Sequence, residues 1–227
     1  MFFRSLRIIA SVLDHSCGGQ SCASRGSPMS IVSIEPATAE RWDDLENLFG
    51  PTGAYGHCWC TFFRRRAKDH TASVSCDRST RGLDNKEELR RLTLDGRVPG
   101  LIAYDGDGPC GWVSVAPRAD FIRLSRSRTL RPSDPDEPGV WSLVCFWLPP
   151  RRRKRGLGSR LLDGAIEYAR AGGGRVLEAY PVDTAGGRAP SAEVYTGTVE
   201  MFRRAGFTLE GHHLSERVVA RLELKAE

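Results

Sequence analysis

The stretch Trp141-Ser-Leu-Val-Cys-Phe-Trp-Leu-Pro-Pro-Arg-Arg-Arg-Lys-Arg-Gly-Leu-Gly-Ser-Arg-Leu-Leu162 limits what this chain can fold into more than any other. Residues 140–148 are an apolar run rich in β-branched and aromatic side chains, which reads as one buried strand. Pro149 and Pro150 end it, because neither can donate to a strand ladder. Residues 159–171 then place Leu161, Leu162, Ile166 and Ala169 at helical spacing. Between strand and helix lies Arg153-x-x-Gly156-x-Gly158, overlapping five consecutive cations at 151–155. Glycines let backbone N–H groups come close to a ligand, and a helix start carries partial positive charge. Strand, basic glycine turn and helix together predict a pocket for a phosphate or pyrophosphate. A solvated basic patch or a nucleic-acid contact is the competing reading of the same cations. No Gly-Lys-Ser/Thr follows the glycines, so the turn is not that of a P-loop NTPase.

Two further landmarks come next in order. Arg175-Val-Leu-Glu-Ala-Tyr-Pro-Val-Asp183 reads as the next strand, and Met201-Phe-Arg-Arg-Ala-Gly-Phe207 as the end of the last helix. With Arg153-x-x-Gly156-x-Gly158, they resemble the acyl-CoA signature and the segments after it in the GCN5-related N-acetyltransferases, the GNAT superfamily. The resemblance is clearest over residues 139–207 and extends from Ile31 to the C-terminus. It implies an α/β fold of the acyl-CoA N-acyltransferase kind, in which a central, mostly antiparallel twisted sheet carries a splayed parallel strand pair and helices on both faces.

The rest of the chain is read in the same terms. Residues 31–34 form a strand, and Thr38 caps a helix over 39–49 with Trp42, Leu45, Leu48 and Phe49 on one face. Asp84 caps a helix over 85–95, with Glu87 completing a capping box. Residues 100–104 and 110–116 make a hairpin around Asp105-Gly-Asp-Gly108. Residues 118–131 read as a short helix with a basic face. The helix between 140–148 and 175–180 makes those two strands a parallel pair. Residues 195–205 read as the last helix, Gly206 as its cap, and 207–213 with 216–224 as a closing antiparallel pair. Residues 1–28 are expected to be a disordered leader or the product of an upstream start codon, with targeting as the other reading. The folded GNAT-like domain is expected to span 29–227, with its CoA-binding core at 139–207.

Composition adds bounds. The net charge of +5 suits an anionic ligand. Seven cysteines, an odd number without disulfide-scaffold spacing, favour a reduced chain in the cytoplasm. No run of about 18 apolar residues is present, so no membrane span is expected.

The resemblance implies acetyl transfer from acetyl-CoA to a primary amine of a small molecule or peptide, by direct attack in a ternary complex. Backbone groups at Arg153, Lys154, Arg155, Gly156, Leu157, Gly158 and Ser159 would hold the pyrophosphate, and the cations at 151–155 the 3′-phosphate. Main chain near Phe146, Trp147 and Leu148 would meet the pantetheine arm. Cys145, in the same run, is expected to be a core residue. In the family the proton donor to the thiolate is a tyrosine before x-x-x-Gly-Phe. Phe202 stands there, which makes Tyr195 the nearest candidate acid. Glu178 is the candidate base if its strand register turns it to the gap, with Asp183, Glu193 and His57 as further candidates. No metal is expected. Three readings of Tyr55-Gly-His-Cys-Trp-Cys-Thr-Phe-Phe-Arg64 stay open. One is a metal site using His57, Cys58 and Cys60 with His70 or Cys76; the others are a substrate wall and a buried, cysteine-containing turn. The same aromatic loop is a candidate homodimer surface. A non-catalytic CoA-binding module is the alternative function, and a nucleic-acid-binding protein ranks after it.

Overall fold

The structure is a computed structural model, and it describes residues 32–66, 82–127, 130, 134–184, 194–210 and 218–225. The expected leader, His70, Cys76 and Glu193 lie outside those residues.

Seven strands form one sheet. In chain order they are β1 (Ser33–Pro36), β2 (Leu101–Asp105), β3 (Gly108–Pro117), β4 (Val140–Trp147), β5 (Val176–Ala179), β6 (Thr208–Glu210) and β7 (Val219–Glu223), and across the sheet the order is β1-β2-β3-β4-β5-β7-β6. Every pairing is antiparallel except β4 with β5. That exception follows from the crossover helix α3 (Leu157–Ala171) between them. Residues 110–116 of β3 are buried without alternation, which is the pattern of a strand covered on both faces.

The covering elements differ between faces. Leu157, Leu161, Leu162, Ala165 and Ala169 of α3 pack with Leu101, Val113, Leu143 and Leu177 on one face. On the other, helix α1 (Trp42–Phe49) buries Trp42, Leu45, Leu48 and Phe49, the face its sequence period marked, against Ile102 and Trp112. Helix α2 (Leu83–Leu94) adds Leu89 to that layer.

Three expected caps or boundaries differ. Asp84 does not cap α2: Gly82 holds the N-cap position, and Asp84 sits in the first turn, where its charge complements the helix dipole. A 3₁₀ turn, Ala39–Arg41, precedes α1, and Thr38 Oγ1 accepts from the Arg41 guanidinium at 3.3 Å instead of capping backbone. The last helix, α4, is only Val199–Arg204. Gly197, at φ +84°, breaks the chain before it, and Thr198 caps it by accepting from Met201 N at 3.4 Å. Tyr195 therefore lies on a separate 3₁₀ turn, Val194–Thr196. Residues 118–120 likewise form a 3₁₀ turn and not the start of a longer helix.

Candidate active site

Strand β4 has two unlike halves. Residues 141–143 pair with β3 on one side, and residues 140–143 with β5 on the other, from Val140↔Val176 to Leu143↔Ala179. Against β3 the register steps from Leu143↔Val115 to Cys145↔Ser114, so Val144 is an extra residue. Such a bulge bends its strand and re-aims the residues after it. Beyond it, β5 has ended at Ala179, and Val182 bridges to Thr198 instead. The β5 side of residues 144–147 therefore has no strand partner among the described residues. This is the splayed gap of the parallel pair. Phe146 and Leu148 turn toward α3, and Cys145 and Trp147 toward α1.

The basic turn closes one end of the gap. Gly156 holds the N-cap of α3 at φ +76°, with open space where a side chain would begin. No side chain caps α3, and its first turn holds no acid. The first backbone bond runs from Arg160 N to Gly156 O at 3.2 Å. The N–H groups of Leu157, Gly158 and Ser159 are thus first-turn donors with no partner inside the helix, at its positive end. The cations divide into two groups. Arg152 pairs with Asp105 at 2.6 Å and Asp107 at 2.9 Å. Arg153 Nε donates to Leu148 O at 2.9 Å and lies 5.8 Å from the Trp147 ring, so it ties turn to strand. Arg151, Lys154 and Arg155 make no ion pair among the described residues, and all three are exposed.

The sequence places these cations and first-turn donors together because they are local. Those expected to carry catalysis are dispersed. Glu178 lies opposite Ser142, in the closed half of the pair. Its side chain has no exposed surface. Oε1 accepts from Arg118 at 2.9 Å and from Arg221, and Oε2 from the Tyr180 hydroxyl at 3.1 Å. Arg221 is in turn forked onto Glu137 at 2.8 and 2.9 Å. Glu178 anchors the closed end, and the base role the sequence allowed it has no geometry here. Asp183 is exposed in the loop after β5. Phe202 is fully buried, 6.4 Å from Phe146 and 5.0 Å from Phe207 between ring centroids, so its ring belongs to the core. Tyr195 is half-buried and, with Phe62 and Cys145, packs on the cluster around Phe63, Val144 and Tyr180.

The aromatic loop folds inward. Trp59 stacks on Trp42 at 6.1 Å, and Trp59, Cys60 and Phe63 are buried, which leaves Tyr55 as its strongly exposed aromatic. Of the Trp and Phe side chains expected to offer a dimer surface, Trp59 and Phe63 are thus withdrawn into the core, and Phe62 is half-buried. Cys60 Sγ lies 3.3 Å from Cys145 Sγ. That contact and then burial raise the Cys60 thiol, and burial followed by the charge of Cys60 pushes Cys58 up to about 12. Both thiols are thereby favoured in the protonated form, as in a packed interior. Among the described residues no group of three or more His, Cys, Asp and Glu side chains is placed to hold a metal ion. The His57 main chain is held by Asn85 Nδ2, which donates to its carbonyl at 2.9 Å. The buried-turn reading of this stretch is the one its geometry fits. Missed altogether were the Arg118–Glu178–Arg221 network and the stacking of Arg123 on Phe62, for which no local signal exists.

The architecture has solved counterparts. An N-acetyltransferase from Staphylococcus aureus Mu50 superposes with a TM-score of 0.50 at 14% identity, covering 86% of this chain and 99% of that one. The PaiA N-acetyltransferase from Thermoplasma acidophilum, in complex with coenzyme A, gives 0.49 at 13% identity over 85% and 98% of the two chains. YncA from Salmonella typhimurium, with its cofactor acetyl-CoA, gives 0.44 at 17% over 86% and 95%. No curated protein matches the chain at a significant level. Residues 60–207, the greater part of the chain and all of the gap, the basic turn and α4, match the model of the acetyltransferase (GNAT) family, and the chain belongs to that family.

Proposed function

We propose that the chain transfers an acetyl group from acetyl-CoA to an amine by direct attack within a ternary complex. One observation carries this reading: among the described residues, an uncapped, acid-free helix start with unpaired cations opens beside a strand half whose outer edge is unpaired. The first suits a pyrophosphate and the second an extended pantetheine arm, which would add to β4 in the manner of a strand. The thioester then lies near residues 145–147, where a backbone N–H can meet the developing oxyanion. Pro149 has no N–H, so the donor precedes it. Family membership supports acyl transfer in general; acetyl-CoA, the amine acceptor and the ternary complex are our reading.

Within it, we assign Tyr195 as proton donor to the departing thiolate. Its turn is the one next to the open half of β4, and Phe202 has no proton to give. Phe202 also favours a second reading, a CoA-binding module without turnover. Acetylation of any amine in a panel excludes that module. We keep the cytoplasm as the proposed location, on the odd cysteine count alone.

The test of the first reading is thermal melting of the chain with and without acetyl-CoA. A ligand bound only by the folded state at a hundredfold excess over Kd adds about 2.7 kcal/mol. The upward shift is expected to vanish in a folded Gly156→Glu variant, which fills the open space above the turn. No shift in the wild-type chain at saturating acetyl-CoA would sink the reading.

A further inference from the structure

Two cysteines far apart in the chain meet beside the open half of β4. Cys60 and Cys145 are 85 residues apart, yet their sulfurs lie 3.3 Å from one another, and both are free thiols. Cys60 is buried and Cys145 half-buried, so Cys145 is the member of the pair that keeps contact with solvent. The backbone holds Cys60 in place under strain. Ala54, His57, Trp59 and Cys60 all have positive φ, at +48° for both Trp59 and Cys60. Residues other than glycine seldom adopt that conformation, and it persists only where the surroundings over-determine it. Here Trp59 stacks on Trp42, tilts against Phe49 at 5.6 Å and donates its backbone N–H to Gly53 O at 3.1 Å. The Val144 bulge acts on the other partner, setting Cys145 toward α1 and the aromatic loop.

The surroundings of Cys60 also suit thiol chemistry. Against the effects of Cys145 and burial, the Trp112 indole N–H and then the Arg64 guanidinium favour its thiolate. Trp112 Nε1 is itself buried without a hydrogen-bond partner. A donor and a cation thus stand beside the sulfur that has to give up its proton.

We propose that Cys60 and Cys145 are a redox pair, which a peroxide joins in a reversible disulfide that fastens the aromatic loop to the open half of β4 and turns acetyl transfer down. The effect on turnover rests on the acetyl-transfer reading above; the bond itself does not. The Cys145 sulfur attacks the O–O bond of the peroxide, giving a sulfenic acid and one water. The Cys60 sulfur then displaces the hydroxyl, which leaves as a second water with the Cys60 proton. Two thiols lose two electrons, and hydrogen peroxide becomes two waters. A small dithiol reverses the step by exchange. A disulfide spans about 2.05 Å, so the sulfurs must close by roughly 1 Å. The reading above puts the thioester near residues 145–147, where a misplacement of that order costs up to about 10²-fold in rate.

The test uses the full chain, reduced and then treated with hydrogen peroxide. Remaining thiols are blocked and the protein is digested with trypsin. The tryptic peptide ending at Arg64 is expected to appear joined to the one ending at Arg151. Fragment sequencing places the bond at Cys60 in the wild type, and Cys58→Ala leaves Cys60 as the single cysteine of its peptide. The oxidised chain should melt at least about 5 °C higher, because the bond closes a long loop of the unfolded chain. Its kcat should fall at least about tenfold, and dithiothreitol should restore both values. Cys60→Ala should keep the reduced-state kcat and lose both responses to peroxide. Peroxide that oxidises other cysteines and leaves Cys60 and Cys145 as thiols overturns the proposal. So does a mapped Cys60–Cys145 bond with unchanged kcat, which would make the contact a staple without a switch. Absence of the acetyl-CoA melting shift in the reduced wild type overturns the acetyl-transfer reading instead, and peptide mapping then decides this inference by itself.

Discussion

Residues 141–143 of β4 lie between two strands, and residues 144–147, among the described residues, lie beside one. Beside the first half every buried charge has been answered: Glu178 by Arg118 and Arg221, and Arg221 again by Glu137. Beside the second, charges and donors stand open at Lys154, Arg155 and the first turn of α3. The division falls at the Val144 bulge. Below it ion pairs tie β5 to β7 and to the turn after β3, and above it Lys154 and Arg155 make no ion pair among the described residues. A charged residue at this site therefore has to be judged by which half it serves, and Glu178 and Lys154 belong to opposite classes.

The largest expected effect breaks the closed half. Glu178→Ala leaves Arg118 and Arg221 facing each other without their shared anion, in a place water does not reach. Removing one partner of a buried pair costs about 3–5 kcal/mol, and we expect that loss in urea denaturation. Glu178→Gln sharpens the contrast, since it keeps the shape and can still accept from Arg118. Assayed well below its melting temperature, it should retain wild-type kcat within a few-fold. A kcat loss of about 10²-fold or more in folded Glu178→Gln would return the residue to the role of base.

Legibility in the sequence follows the same division. The open half was readable because its parts are neighbours: strand, prolines, cations and glycines succeed one another within residues 140–160, and the Asp105–Gly108 hairpin beside Arg152 is equally local. The closed half was not, because Glu178 meets partners 60 and 43 residues away, and only the sheet brings them together. A strand of known position still leaves its register open, and one residue of slip decides whether Glu178 faces a gap or an arginine. The helix read over 195–205 failed for a smaller reason. Apolar spacing continued through Gly197-Thr198, and the break and cap there outweighed it. The inward packing of Trp59 and Phe63 was likewise invisible, since an aromatic run reads the same whether it faces solvent or core.

Two substitutions next to the open half have smaller expected effects. Tyr195→Phe removes the phenol and keeps the ring, so packing should hold within about 0.5 kcal/mol. If Tyr195 gives up the proton, kcat falls about 10²-fold, most steeply for poor thiol leaving groups in a series of acyl thioesters. A fall in KM-dependent binding alone would make it a packing residue. Phe202→Tyr is the mirror experiment. It restores a phenol, but into a fully buried ring site, where an unsatisfied hydroxyl costs about 1–3 kcal/mol. Stability should drop without a gain in kcat. A gain would mean that the Phe202 edge reaches the thioester and that the two halves are less separate than the burial indicates.

The mildest change to the protein itself asks most directly whether the open charges are there for a ligand. In the double variant Lys154→Glu, Arg155→Glu no ion pair among the described residues is lost, and both side chains are exposed. The unliganded stability should therefore move by no more than about 0.5 kcal/mol. Arg152→Ala is the control, because it breaks the pairs to Asp105 and Asp107 and should cost up to about 1 kcal/mol with little change in ligand binding. The two variants then cross over. Charge reversal is expected to weaken acetyl-CoA at least about tenfold, or 1.4 kcal/mol, and to flatten the salt dependence of the remaining binding. Such a crossing separates two roles within one run of five cations, Arg152 and Arg153 being structural ties and the others a charge held in reserve. If instead both variants lose stability alike and bind alike, the basic turn is one solvated patch, and the contrast between the halves of β4 rests on the strand edge alone.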